Sequence, residues 1–196
     1  LEFRRVLFRS TCNQVYSIIE ASPSMTDEAR TRTLAEIRGI RAYWYYMLID
    51  NFGNVPLVTD FSDTELPATK SRKEVYDFVV KELTEIKDKL RDDVTGASYG
   101  KFTKGAAYTL LAKMYLNHNA WFPTQAEDKT FYEKACDEVN EIINSGKYEL
   151  ASTYLEPFSA NNRSKETILG LVYDKTNAGM GTNYYCKWNI SGSGAI

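Results

Sequence analysis

The stretch from Arg32 to Thr59, RTLAEIRGIRAYWYYMLIDNFGNVPLVT, limits the fold more than any other part of the chain. Apolar residues recur at Leu34, Ile37, Ile40, Trp44, Met47 and Leu48. Side chains three, four and seven apart share one face of an α-helix, so this spacing predicts a long helix with a buried side. Its end is written just as clearly. Gly53 can take the left-handed conformation that closes a helix, and Pro56 cannot continue one. Thr26 is the expected N-cap, with Asp27 and Glu28 placed to meet the positive end of the helix. The helix is therefore expected over 27–51. Gly39 in its middle costs about 1 kcal/mol relative to Ala, which the close approach of another helix would explain.

The same logic finds the other helices. Val15, Ile18 and Ile19 give a short helix over 11–21, stopped by Ser22-Pro23. Ser71 and Glu74 form a capping-box pattern, in which each side chain satisfies a backbone amide of the first turn. That helix is expected to run to Asp92, with Val75, Phe78, Val79, Leu83, Ile86 and Leu90 inward. Residues 56–70 read as a loop and 95–103 as a glycine-containing turn with no phosphate-loop pattern. A helix over 104–117 turns Ala106, Ala107, Leu110, Leu111, Met114 and Tyr115 inward. Thr130 and Glu133 suggest a second capping box, opening a helix to Asn144 whose inner face holds Tyr132, Ala135, Cys136, Val139, Ile142 and Ile143. Gly146 closes it. From Lys147 the helical period fades into an irregular segment, with one short strand expected over 166–173 and loop or edge strand beyond.

These elements imply an all-α fold of tetratricopeptide-like helix pairs, a helical array with a mostly irregular C-terminal segment. Ala107 to Tyr115 followed by Tyr132 to Ala135 carries the small-and-aromatic pattern of such a pair, and 27–51 with 72–92 forms an earlier one. Three parts follow. Residues 11–146 form the helical domain, and 147–196 are an irregular extension, the start of a truncated C-terminal part. LEFRRVLFRS, residues 1–10, shows no helical or strand logic, and its first three residues are what an in-frame adaptor would encode, so it reads as a sequence artefact or cloning scar.

Composition excludes several functions. A net charge of −2 offers no basic field for nucleic acid. One histidine, and three cysteines without paired spacing, leave no metal or disulfide framework. Cys136, on the apolar face of its helix, is expected to be a small buried hydrophobe. Aromatic residues are abundant at 13%, enough for interhelical packing and also for stacking on flat ligands. Carboxylates cluster at Asp60, Asp63 and Glu65, and again at Asp92 and Asp93, in the manner of solvated loop charge. No nucleophile or base has a surrounding constellation, so no enzyme and no cofactor are expected.

The ordered set of segments resembles the SusD/RagB family. It comprises Ala35 to Arg38, Arg41 to Tyr45 and Asn51 to Val58, then Ser71 to Tyr76 with Glu82-Leu83. Gly105 to Tyr108 and Ala112 to Leu116 follow, and after them Tyr132 to Val139, Lys147 to Leu150, Phe158 and Glu166 to Ile168. The resemblance implies a surface-exposed, lipid-anchored protein of the outer membrane of Bacteroidetes. Such a protein binds oligosaccharides, in some cases peptides, without catalysis, and passes them to a partner SusC-like, TonB-dependent channel. Its sugar-binding loops flank the helical middle, so none of its binding residues is carried over. The ring candidates within the chain are Trp121 and Phe122 in the loop after the 104–117 helix, and Tyr184, Tyr185 and Trp188 near the C-terminal end. Packing of those rings is the plainer reading. A helical scaffold for protein partners is the alternative function.

Overall fold

A computed structural model describes residues 2–62, 66–123, 128–158 and 165–171. Five helices follow one another: α1 (Glu2–Glu20), α2 (Asp27–Phe52), α3 (Arg72–Ile86), α4 (Lys104–Trp121) and α5 (Lys129–Asn144). Each packs on the next in sequence, so the fold is an all-α array. Its core is formed by Tyr45, Leu48 and Ile49 of α2, Val75, Val79, Leu83 and Ile86 of α3, and Leu111 and Met114 of α4.

The start and stop signals of α2 act as expected. Thr26 Oγ1 accepts the Ala29 amide, and Gly53, at φ 74°, donates its amide to the Ile49 carbonyl. The buried side differs. Ala35, Ile37, Ala42, Tyr45, Leu48 and Ile49 are buried, whereas Leu34, Ile40, Trp44 and Met47 are half-buried. The cause is that α2 lies between α1 and α3 and must bury two sides. Gly39 also has a different neighbour from the one expected. A Cβ built there would lie 2.2 Å from Cδ1 of Phe102, a ring from the turn before α4.

Other boundaries are corrected. Residues 2–10 are helical and continuous with 11–20, so α1 takes in the segment that the sequence pattern excludes. The loop over 56–70 is closed at its ends by a two-stranded antiparallel ladder of β1 (Val55–Pro56) and β2 (Thr69–Lys70), pairing Val55 with Lys70. The Ser71–Glu74 capping box forms in full. Its helix stops at Ile86 and tightens into a 3-10 turn, Lys87–Lys89, which still buries Leu90. Helix α4 runs past Asn117 to Trp121, because the first residue that breaks a helix is Pro123. Helix α5 begins earlier than expected: Asp128 Oδ1 accepts the Thr130 amide and hydroxyl, so Asp128 is the cap and Thr130 lies inside. Only Ala135 of α5 is fully buried, and Cys136 is exposed. Burial requires a neighbour on that side of α5, and α4 occupies a different side. Residues 166–171 form no strand; Ile168 and Leu169 lie against the core as single side chains, and 172–173 fall outside the described residues.

Candidate functional site

The ends of four helices bring aromatic rings together. Tyr46 comes from α2, Tyr76 from α3, Tyr115, His118 and Trp121 from α4, and Phe131 from α5. Phe122 follows α4 directly. Tyr76 lies at the centre, with Trp121 at 6.3 Å and Phe122 at 5.3 Å between ring centroids, both edge-on. Edge-to-face geometry suits the quadrupoles of such rings. His118 stacks on Phe131 at 3.4 Å, and Tyr46 lies 6.2 Å from Trp121. Cations cover the outside: the Arg72 guanidinium stands 5.7 Å from the Trp121 centroid, and the Lys73 ammonium 5.6 Å from Tyr76 and 5.8 Å from Phe122. Tyr76 is 3% exposed, and burial pushes its hydroxyl well above the ordinary phenol range.

Trp121 and Phe122 are therefore brought together, on and beside a helix end rather than in an open loop. Both are half-buried and packed against the core. Each keeps an edge toward solvent, with Arg72 and Lys73 at its border. This arrangement can hold an apolar or ring-shaped surface. Tyr184, Tyr185 and Trp188 lie outside the described residues.

The carboxylate clusters do not converge. Asp60 accepts the Ser62 amide and hydroxyl, bonds that hold its carboxyl below the usual range. Asp63 and Glu65 lie outside the described residues. Asp93 is held by the fork of Arg91, and Asp92 pairs with Lys147. Among the described residues no group of three or more His, Cys, Asp and Glu side chains could hold a metal ion, and no helix is long and apolar enough to cross a membrane.

A buried polar hub joins α1, α2 and α3, and the sequence reading assigned it no role. Arg41 donates to Glu82 Oε2 at 2.7 Å and to Asn13 Oδ1 at 3.1 Å. Arg38 donates to both Glu82 oxygens, at 2.7 and 3.1 Å, and to Glu85 at 2.6 Å. Asn13 donates to the Val58 carbonyl, and the Tyr45 hydroxyl both donates to that carbonyl and accepts the Val58 amide. Burial alone would push the Glu82 carboxyl up; the bonds from Arg38 and Arg41 outweigh it and hold the carboxyl below its usual value. The signal was two arginines, three apart, on a helix otherwise rich in apolar residues. Arg41 also donates to the Thr59 carbonyl at 3.5 Å and Arg9 to the Pro56 carbonyl, so with Asn13 and Tyr45 on Val58 the 55–59 segment is held across the helices.

A cavity of ≈ 200 Å³ lies between the 93–103 turn and residues 165–170. Two of the hydroxyls that line it are used by the turn itself. Ser98 Oγ bonds both the amide and the carbonyl of Thr95, and Thr95 Oγ1 bonds Asp93.

Residues 10–116 match the SusD-like family described as starch-binding, associating with the outer membrane. The starch-binding protein SusD of Bacteroides thetaiotaomicron is 32% identical over 182 residues, which are 89% of this chain and 32% of that protein. The solved structure of a SusD superfamily protein from Parabacteroides distasonis is 27% identical, with a TM-score of 0.68, covering 80% of this chain and 33% of that one. Surface glycan-binding protein A of Bacteroides uniformis shares the fold, with a TM-score of 0.69 at 21% identity, over 79% of this chain and 33% of its own. The chain thus spans about a third of the length of these relatives. Matched to the family over more than half of its length, this chain belongs to the SusD-like family.

Proposed function

We propose that this chain is the helical part of a non-catalytic component that binds glycan, or another nutrient, for an outer-membrane uptake system. In the full-length protein this component is surface-exposed and lipid-anchored, and it delivers its ligand to a SusC-like, TonB-dependent channel. The observation that carries the reading is the 32% identity to a starch-binding protein across nearly the whole chain. The chemistry supports it. Glycan capture needs ring faces and hydroxyl partners and no bond-breaking machinery, and Asp60, Asp92 and Asp93 of the two carboxylate clusters are each held by a separate loop or basic partner.

Trp121 and Phe122 serve the helix-end cluster first, and a sugar would reach only their outer edges. Tyr184, Tyr185 and Trp188 are the other candidates for direct contact. Affinity electrophoresis and calorimetry of the full-length protein with starch-derived and β-glucan oligosaccharides test the function. Binding without release of reducing sugar is expected; turnover, or no binding to any glycan, would overturn it. In the same assay Trp188→Ala is expected to weaken binding at unchanged Tm. Trp121→Ala is expected to lower Tm, since it removes a large ring from a packed cluster, about 3–5 kcal/mol for full burial and less for this half-buried ring.

A further inference from the structure

We infer that Arg72, beside the rings of Trp121 and Phe122, binds the carboxylate of an acidic sugar, so that the ligands of this protein include uronate-bearing oligosaccharides. Helix geometry leaves Arg72 without an ion-pair partner on the C-terminal side of its own helix. The residues three and four positions on are Val75 and Tyr76, which carry no carboxylate. The acidic residues of the first two turns are engaged elsewhere. Glu74 accepts the amide and hydroxyl of Ser71 and pairs with Lys70, and Asp77 pairs with Lys73. Arg30, Arg38, Arg41 and Arg91 each donate to a carboxylate. The Arg72 guanidinium meets none among the described residues, and its Nε is buried with no acceptor.

The surroundings fix this cation in place. The Arg72 amide donates to Asn54 Oδ1 at 2.9 Å, a Cβ built at Gly53 would lie 3.2 Å from its Nη2, and the Trp121 ring lies 5.7 Å from the guanidinium. The Ile49 carbonyl at the end of α2 is already taken by the Gly53 amide, so that helix end gives Arg72 partial negative charge without that acceptor. A planar guanidinium held this way suits a carboxylate, because two of its N–H groups can meet the two oxygens in parallel. The edges of Trp121 and Phe122 beside it suit the apolar face of a sugar. Lys73 stands over Tyr76 and Phe122 but is neutralised by Asp77, so Arg72 carries the uncompensated charge of the patch. A sugar with a carboxylate engages both halves. A neutral sugar leaves the guanidinium without an acceptor, and a bare anion leaves the rings uncovered. The inference deepens the glycan-binding reading and rests on it.

Calorimetry at low salt tests the inference, with tetragalacturonate, its full methyl ester and acetate as probes. The ester keeps every sugar ring and removes every charge. Tetragalacturonate is expected to bind about 10–100-fold more tightly than the ester, the range of a charge-assisted hydrogen bond. Equal affinity for the two, or no binding of tetragalacturonate, would overturn the proposal. Acetate binding as tightly as tetragalacturonate would also overturn it, by making Arg72 a plain anion site. Arg72→Gln is expected to lower the affinity for tetragalacturonate to that of the ester and to leave the ester unaffected. A preference for the acid that survives in the folded variant would place the carboxylate elsewhere and overturn the proposal. The comparison of acid with ester uses the unaltered chain, so it does not depend on how the variant folds. Neutral starch-derived oligosaccharides separate this inference from the function it rests on. Their binding without any preference for the uronate would overturn the inference and leave the function standing, whereas failure of neutral and acidic glycans alike would overturn both. Release of reducing sugar from tetragalacturonate, with the Arg72-dependent preference intact, would count against the non-catalytic reading alone.

Discussion

Gly39 sets helix propensity against packing. On propensity alone, Gly39→Ala should stabilise α2 by about 1 kcal/mol. The added methyl would lie 2.2 Å from the Phe102 ring, which is itself 2% exposed and cannot move aside cheaply. We therefore expect a net loss of about 1–3 kcal/mol in urea unfolding, the usual cost of overpacking. In Phe102→Leu the same substitution should cost less, so a double-mutant cycle gives a coupling energy of the sign that links the two sites. Glu82 makes the corresponding argument for charge. Its folded carboxyl is held below its usual value, so its contribution is present in full above the unfolded value of 4.5 and is lost as pH falls through the folded value. Glu82→Gln is expected to destabilise the chain at pH 7 by about 3–5 kcal/mol, because Arg41 is left buried without its counter-charge. It should also flatten the fall in stability on acidification below pH 4.5, which unfolding curves at several pH values would record. Neither effect was legible in the sequence, where Gly39 and Phe102 stand far apart and Glu82 looks like part of a solvated helix face.

At the scale of elements, caps separate pattern from geometry. Ser71-Arg72-Lys73-Glu74 and Thr130-Phe131-Tyr132-Glu133 share the same capping-box signature. Only the first forms the box; in the second, Asp128 takes the cap two residues earlier. Ser71→Ala and Asp128→Ala are each expected to cost about 1 kcal/mol, and Glu133→Ala almost nothing, as thermal unfolding would show. Helix existence and order were legible, because a 3.6-residue period and strong stop residues are local signals. Helix ends were less so. The 3-10 turn after Ile86 and the extension of α4 to Trp121 depend on what each end packs against. The β1–β2 ladder was missed because strands of two residues carry no period. The expected strand after Glu166 had alternation but found no neighbouring edge, and its apolar residues went into the core one at a time. The candidate site follows the same division. The sequence marked Trp121 and Phe122 as notable rings, but their partners Tyr46, Tyr76 and Arg72 come from helices distant in sequence.

Across the whole molecule, burial is unevenly distributed, and stability should follow it. Tyr45, Leu48 and Ile49 of α2, Val75, Val79, Leu83 and Ile86 of α3, and Leu111 and Met114 of α4 are almost fully removed from water. Each such aliphatic side chain stabilises the fold by about 1.5–3 kcal/mol before entropy is subtracted. The polar hub adds direction, because Arg41 and Glu82 tie α2 to α3 and Asn13 ties α1 to both. Past α5 the balance reverses. Leu150, Tyr154, Leu155 and Phe158 are 72–86% exposed, and between 148 and 158 the hydrogen bonds are mostly local, such as Ser152 to Glu156, with the Ala151 amide to Glu166 reaching further. Local opening costs little where few apolar contacts are broken. Native-state hydrogen exchange should therefore divide the chain. Amides in the middle of α2, α3 and α4 are expected to exchange only through global unfolding, with a common free energy and a common urea dependence. Amides over 148–158 are expected to exchange by local opening with almost no urea dependence, and those of α5 to fall between, because only one of its two apolar sides is packed. If 148–158 proved as protected as α3, the side chains exposed there would have found cover within the chain itself.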